Sequence, residues 1–340
     1  MRQPMRQPNF TNLLKVLRRE EPDRPTLFEF FLNKPLYDRL AGPEIANRKD
    51  DLADVRILIH AFRNAGYDYV TLHGSSFHFP RESAQKLKTR SLNDGAGITD
   101  RNSFGNYPWP DPDDFDYSVL ERAESLLPEG MKMIAWGPGG VLENVIDLVG
   151  YDNLCFMLAD SPDLVQNIFD AVGSRFVRYY EICAAYPSVG ALISNDDWGF
   201  KTQTMLSPAD MRRYVIPWHK RIVETIHKAG KPAILHSCGN LKLLMDDIID
   251  TIGYDAKHSY EDSILPVEEA YELYGKRIAI LGGLDLDFVC RSTPDEVHKR
   301  AVAMLERVKG RGGYALGTGN SVPEYVPVEN YLAMISAVDQ

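Results

Sequence analysis

Pro232-Ala233-Ile234-Leu235-His236-Ser237-Cys238-Gly239-Asn240 reads as a buried strand that ends in chemistry. A short apolar run leads into a His, a Ser and a Cys, and a helical pattern follows. Side chains alternate faces along a strand, so His236 and Cys238, two apart, point the same way. A neutral imidazole and a thiolate side by side make half of a zinc site. The ordinary alternative is a buried His beside a buried Cys, each held by backbone hydrogen bonds.

Working outward, the same grammar repeats. Apolar runs occur at Thr26–Leu32, Tyr67–Leu72, Lys132–Trp136, Ala191–Ser194, Tyr254–Lys257, Arg277–Leu281 and Gly313–Leu316. Amphipathic stretches separate most of them, with cap signatures such as Asp160-Ser161-Pro162, Ser207-Pro208 and Thr293-Pro294. About eight buried strands, each followed by a helix, predict an α/β chain folded as a single (β/α)8 TIM barrel. The barrel would span residues 1–340, with a helical extension over about 1–25 and a long inserted loop over about 75–116. That loop is polar and rich in Gly, Pro and aromatics, including Tyr107 and Trp109, and reads as a lid or binding loop. A doubly wound sheet would use fewer strands, and neither a GxGxxG after the first strand nor a Walker motif occurs.

The bulk numbers exclude several classes. A net charge of −10 argues against nucleic acid, whose phosphates need clustered Lys and Arg. With 44% hydrophobic and 25% charged residues the composition is that of a soluble globular enzyme. No apolar run approaches the ~18 residues of a membrane span. The four Cys form no CxxC pair, and the N-terminus lacks the apolar core of a secretory signal, so a reducing cytoplasm is expected.

Barrel enzymes place their chemistry at the C-terminal ends of strands. Here those ends carry His73, Trp136, Asp196, Asp197, His236, Cys238, His258, Asp285 and Asn320, while Glu29 lies within the first, aromatic run. Each alone has a bland explanation: Asp196 or Asp285 could cap the next helix, His258 could be a satisfied core His, and Glu29 could be salt-bridged. Their convergence at one predicted rim favours function. His236 and Cys238 are the expected metal ligands, with oxygen ligands drawn from Asp196, Asp197, Asp285 or Asn320. The helix-borne His219, His227 and His298 read as surface residues. No Ser-His-Asp order or nucleophile elbow appears, which disfavours acyl transfer.

Trp198-Gly199-Phe200, Pro217-Trp218-His219, His236-Ser237-Cys238-Gly239-Asn240, Asp255-Ala256-Lys257-His258-Ser259, Gly282-Gly283-Leu284-Asp285, and Gly317 to Ser321 through Pro327-Val328-Glu329-Asn330 resemble the uroporphyrinogen decarboxylase superfamily. The resemblance is strongest from about Gly137 to the C-terminus. It implies the barrel fold independently, and it covers both true decarboxylases and cobalamin-dependent methyltransferases. The decarboxylases carry an Arg-Gln-Ala-Gly-Arg segment that binds propionates, where Phe28 to Lys34 here has no Arg. They also carry Leu-Gly-His-Gly, where this chain has Leu316-Gly317-Thr318-Gly319. A tetrapyrrole polycarboxylate needs several cationic partners, so the resemblance points to the methyltransferase branch.

That branch uses His-x-Cys as zinc ligands, matching His236 and Cys238, and its third ligand, a Cys, falls on Asn320 here. The resemblance therefore implies a substitute such as Asp285 or Asp196. The implied activity is methyl transfer between a small methylated substrate and cobalamin carried by a corrinoid-binding partner protein, assisted by zinc. In that reading Asp196, His258 and Asp285 are catalytic. Glu29, His73, Trp136, Asp197 and Asn320 bind substrate. The alternatives are a uroporphyrinogen decarboxylase-type carboxy-lyase, which needs no metal, and a non-catalytic protein that holds a corrinoid or metabolite in the barrel mouth.

Overall fold

The computed structural model describes residues 6–81, 92–93 and 97–339. Seven parallel strands follow one another around a curled sheet in chain order. They are β1 Tyr69–His73, β2 Lys132–Trp136, β3 Val189–Asn195, β4 Ala233–His236, β5 Ala256–His258, β6 Ala279–Leu281 and β7 Tyr314–Ala315. Helices pack on the outside, as parallel strands require of their crossovers. Runs such as Ala191, Leu192, Ile193 and Ala233, Ile234, Leu235 are fully buried because both sheet faces are covered. The result is a TIM-barrel-like α/β fold. No helix among the described residues is long and apolar enough to cross a membrane.

The eighth place is filled differently from the expected strand at Thr26–Leu32. Only Leu27 pairs, as an isolated parallel bridge to Leu316. Phe28 N–H donates to Leu316 O at 2.7 Å, and Leu316 N–H donates to Thr26 O at 2.8 Å. On its other side the segment meets side chains of β1 instead of its backbone. Tyr69 Oη accepts from Glu29 N and donates to Glu29 O, both at 2.7 Å, and Thr71 Oγ1 donates to Phe30 O at 2.6 Å. Tyr69 and Thr71 lie two apart, on one face of β1, so both hydroxyls reach the same neighbouring segment. The main-chain ladder therefore stays open at this seam, which two hydroxyls bridge.

The N-terminal helix Phe10–Leu17 is packed into the core through Phe10, Leu13, Val16 and Leu17. It lies under the strand starts: Phe10 N–H donates to Gly130 O at 2.9 Å, and a Cβ on Gly190 would strike the Phe10 ring at 2.4 Å. Within the expected long loop, 82–91 and 94–96 lie outside the described residues. Its described part forms a helix, Arg101–Asn106, with a capping box between Asp100 and Ser103. Trp109 packs on Phe79, Phe104 and Tyr107, under the Arg175 guanidinium at 5.1 Å. These aromatics thus anchor the loop to the outer helix Pro162–Ala184.

The helix after β3 starts at Ser207, whose hydroxyl accepts from Asp210 N, and has Pro208 in its first turn. It widens to a π turn at Met211–Val215 before continuing as Ile216–Lys228. Pro217 lacks an N–H and crowds the preceding turn, which a π turn relieves. The same helix carries His219, which the sequence reading placed on the surface. It is wholly buried.

Candidate metal centre

The register of β4 against β5 sets His236 opposite His258. In a parallel pair, partners project to the same face, so the two imidazoles meet: Nδ1 to Nδ1 is 2.8 Å. His258 Nε2 lies 3.2 Å from Thr318 O. A carbonyl can only accept, so His258 carries its proton on Nε2 and presents a bare Nδ1. His236 must then donate from Nδ1, which leaves its Nε2 lone pair free. That nitrogen lies 3.8 Å from Cys238 Sγ. Burial drives both rings toward the neutral form, His236 down to about 3 with the Lys257 charge adding to the effect, and His258 well below its ordinary value.

Asp197 completes the group. A ligand atom from each of Asp197, His236 and Cys238 lies within 4.8 Å of the others. Cys238 N–H donates to Asp197 Oδ1 at 2.8 Å, which fixes the carboxylate beside the sulfur. Two donors reach Sγ: Asn320 Nδ2 at 3.2 Å and Ser259 Oγ at 3.3 Å. Burial and then the Asp197 charge push the free thiol up to about 12, against the pull of those donors. A bound cation reverses that balance, since a coordinating thiol is deprotonated outright. Ser259 holds its place with φ at +86°, one of two described non-glycine residues with positive φ. Such strain gathers where a side chain must be aimed. The residues present therefore suit a zinc ion, with N, S and O donors of the right kinds and an orienting partner behind the His.

Several expected site residues are placed otherwise. Asp196, expected as catalytic or as a metal ligand, is wholly buried. Its oxygens accept from Leu142 N and Glu143 N, both at 2.9 Å, and Oδ2 also meets His219 Nε2 at 2.9 Å. It caps the helix Val141–Val149 from the neighbouring strand end, which its own turn could not reveal. Asp285, also expected as catalytic or a ligand, caps Leu286–Arg291 through Phe288 N at 3.0 Å and accepts from Asp262 N at 2.8 Å. Both acids are taken up by backbone N–H groups, so the nearby carboxylate is Asp197, which the sequence reading offered both as an oxygen ligand and as a substrate-binding residue. His258, expected as catalytic, is enclosed, with both nitrogens engaged. Asn320 does not present its oxygen as a third ligand: Oδ1 accepts from Ser321 N at 2.7 Å, which turns Nδ2 toward the sulfur.

Glu29 is buried without a cationic partner in its hydrogen bonds. It accepts from Thr318 N at 2.7 Å, and its second oxygen meets Thr318 Oγ1 at 2.7 Å. Burial pushes its carboxyl up to about 8 despite those bonds. Neutral, it donates to Thr318 Oγ1, which donates in turn to Asn320 O. Trp136 and His73 form an aromatic wall. His73 meets Trp136 edge-on at 4.6 Å, Trp136 meets Phe30 at 5.2 Å and Phe31 at 6.4 Å, and Phe30 lies 4.9 Å from His236.

The sequence reading missed Lys257, Glu143, Thr318 and the burial of His219. Lys257 is buried, with Nζ 2.6 Å from Ser259 O and 3.3 Å from Ser237 O, and burial pulls it down to about 8. It braces the two loops that carry Ser259 and Cys238. Glu143 is pushed well up, by burial first and then by the charges of Asp196 and Asp197. His219 was recoverable, because Val215, Ile222 and Val223 place it on the buried helical stripe.

The comparisons with known proteins concern the fold and the family. The fold is similar to that of a methyltransferase from Methanosarcina mazei, with a TM-score of 0.71, 17% identity and 97% of each chain covered. Among curated relatives, the uroporphyrinogen decarboxylase of Syntrophotalea carbinolica is 24% identical over 182 residues, 54% of this chain and 50% of that protein. That of Anaeromyxobacter sp. is 29% identical over 190 residues, 56% and 51%. The chain thus spans about half the length of the curated relatives it matches. Residues 120–340 match the family described as uroporphyrinogen decarboxylase (URO-D), and that stretch contains all three clustered donors, Asp197, His236 and Cys238. Matched over well more than half its length, the chain belongs to the uroporphyrinogen decarboxylase (URO-D) family.

Proposed function

We propose that this chain is a zinc-assisted, corrinoid-dependent methyltransferase, moving a methyl group between a small methylated substrate and a cobalamin held by a partner protein. The observation that carries the reading is the convergence of Asp197, His236 and Cys238 within 4.8 Å at the adjacent ends of β3 and β4. His236 Nε2, Cys238 Sγ and an Asp197 oxygen would hold the metal. Bound there, zinc supplies Lewis-acid polarisation of a substrate oxygen, nitrogen or thiol, the atom that gains or loses the methyl group. Asn320 and Ser259 stabilise the sulfur as thiolate. Phe30, Phe31, His73 and Trp136 offer an apolar wall against which a small methylated compound would lie, excluding water from the reacting carbon. The methyl carrier is the partner's corrinoid, and the barrel mouth is where it would meet the substrate.

The names of the curated relatives favour a second reading, carboxy-lyase action on a tetrapyrrole. Against it stand Phe28 to Lys34, which brings no Arg to the rim, and Thr318, whose hydroxyl is committed to Glu29 and Asn320. Elemental analysis of the purified protein and assays of methyl transfer to cob(I)alamin test the proposal. About one zinc per chain and transfer from at least one O-, N- or S-methyl donor are expected. Absence of both metal and transfer across a broad donor panel, with turnover of uroporphyrinogen, would replace it with the decarboxylase reading.

A further inference from the structure

We propose that His258 is the positioning residue of this centre: it holds the ring proton of His236 on Nδ1 and so keeps Nε2 bare toward Cys238. The inference rests on the metal reading above and deepens it. Metal-ligating histidines are usually backed by a carboxylate or a carbonyl, which fixes the tautomer. Here a second imidazole stands between the ligand and the carbonyl. Thr318 O receives both Gly283 N, at 2.9 Å, and His258 Nε2, at 3.2 Å, so its acceptor capacity is filled. Gly282 leaves room for that contact: a Cβ there would strike Thr318 O at 2.3 Å and His258 Nε2 at 3.0 Å.

The rings cannot easily turn out of this arrangement. Phe28 meets His258 edge-on at 5.1 Å, and Phe30 lies 4.9 Å from His236. Neither histidine has a carboxylate among its hydrogen-bond partners. His236 is therefore steered by direction rather than by charge, and it remains a neutral ligand. Thr318 is the fixed end of the chain, because Glu29 grips both its N–H and its hydroxyl. The relay thus starts at the Thr26–Leu32 segment and ends at the bare nitrogen.

The test is nitrogen-15 NMR of the metal-free full chain, labelled at imidazole nitrogens, at pH 7. The His236 signals are assigned by their loss in His236→Gln. The expected result is a proton on Nδ1 of His236 and on Nε2 of His258. In His258→Asn, whose Oδ1 can accept the same hydrogen bond, the Nδ1–H form should persist. In His258→Phe it should be lost, and zinc affinity by chelator competition should fall about 10- to 100-fold, the range for lost orienting partners. A wild-type His236 protonated on Nε2 would overturn the inference, and it needs no variant to fold. So would a folded His258→Phe that binds zinc as tightly as wild type. A wild-type chain with Nδ1–H at His236 but no zinc uptake would sink the metal reading and leave the tautomer assignment standing.

Discussion

Asn320 Nδ2 donates to Cys238 Sγ across 3.2 Å, with the amide locked in that orientation by Ser321 N on its Oδ1. The position where the family resemblance implies a third sulfur ligand thus donates to a sulfur instead of supplying one. Asn320→Ala removes one of two donors to the sulfur and should weaken zinc binding about tenfold. Asn320→Cys offers a further soft ligand and should tighten it. Competition with a chromophoric chelator reads both, and an Asn320→Cys protein that binds no tighter than wild type would count against this geometry.

Glu29 should make stability fall as pH rises. Its folded carboxyl is pushed up by burial to about 8 from an ordinary value of 4.5. The folded chain then holds a proton that the unfolded chain releases, so the contribution is fully present below about 4.5 and is lost as pH climbs toward 8. Glu29→Gln keeps a neutral donor and acceptor at Thr318. It should match wild type near pH 5 and be more stable by a few kcal/mol near pH 9, the order that a shift of this size implies. Urea unfolding at the two pH values measures it.

Asp196 should behave as a structural acid. Asp196→Ala strips the cap from Leu142 N and Glu143 N and removes the acceptor at His219 Nε2. A loss of about 2–6 kcal/mol is expected, at 1–3 for each of the two backbone N–H groups left unsatisfied. Asp196→Asn keeps one acceptor oxygen and should lose less. Denaturant midpoints with unchanged slopes would check the ranking, and a fully stable Asp196→Ala would refute the role.

Tyr69→Phe removes one hydroxyl that serves both Glu29 N and Glu29 O. Leaving two buried backbone groups unpaired should cost about 2–6 kcal/mol, at 1–3 for each unsatisfied group. Because Glu29 leads to Thr318 and the candidate metal centre, zinc affinity should fall with it.

The barrel-like parallel α/β sheet was legible, seven strands of the expected eight, because its strands are short apolar runs, and parallel strands buried on both faces read that way. His236 and Cys238 were legible because their spacing of two at a strand end places them on one face whatever surrounds them. The choice between Asp196 and Asp197 was not, since adjacent acids face opposite ways and only the pairing of β3 with β4 says which one meets Cys238. Asp285 looked like its neighbours at other strand ends, yet backbone N–H groups of the next helix claim it. The role of His258 depends on register against β4, a relation between strands that neither strand's own sequence states. Thr26–Leu32 has the composition of a strand, but its pairing is decided by hydroxyls on β1.

The seam between β1 and Thr26–Leu32 has a kinetic consequence. Inner strands such as β3 share backbone bonds with a neighbour on each side and exchange their amide hydrogens only when the sheet opens as a whole. The Glu29–Phe31 segment has no backbone ladder to β1 and is tied by two β1 hydroxyls, the Glu29 carboxyl on Thr318 and Val322 N–H on Phe31 O, so it should open at lower cost than the inner strands while β1 to β7 stay paired. Such an opening would carry Phe30 and Phe31 away from Trp136 and uncover the candidate metal centre from the side. In deuterium exchange, this stretch should label well before β2, β3 and β4, giving the barrel a breathing edge at the wall of its own site.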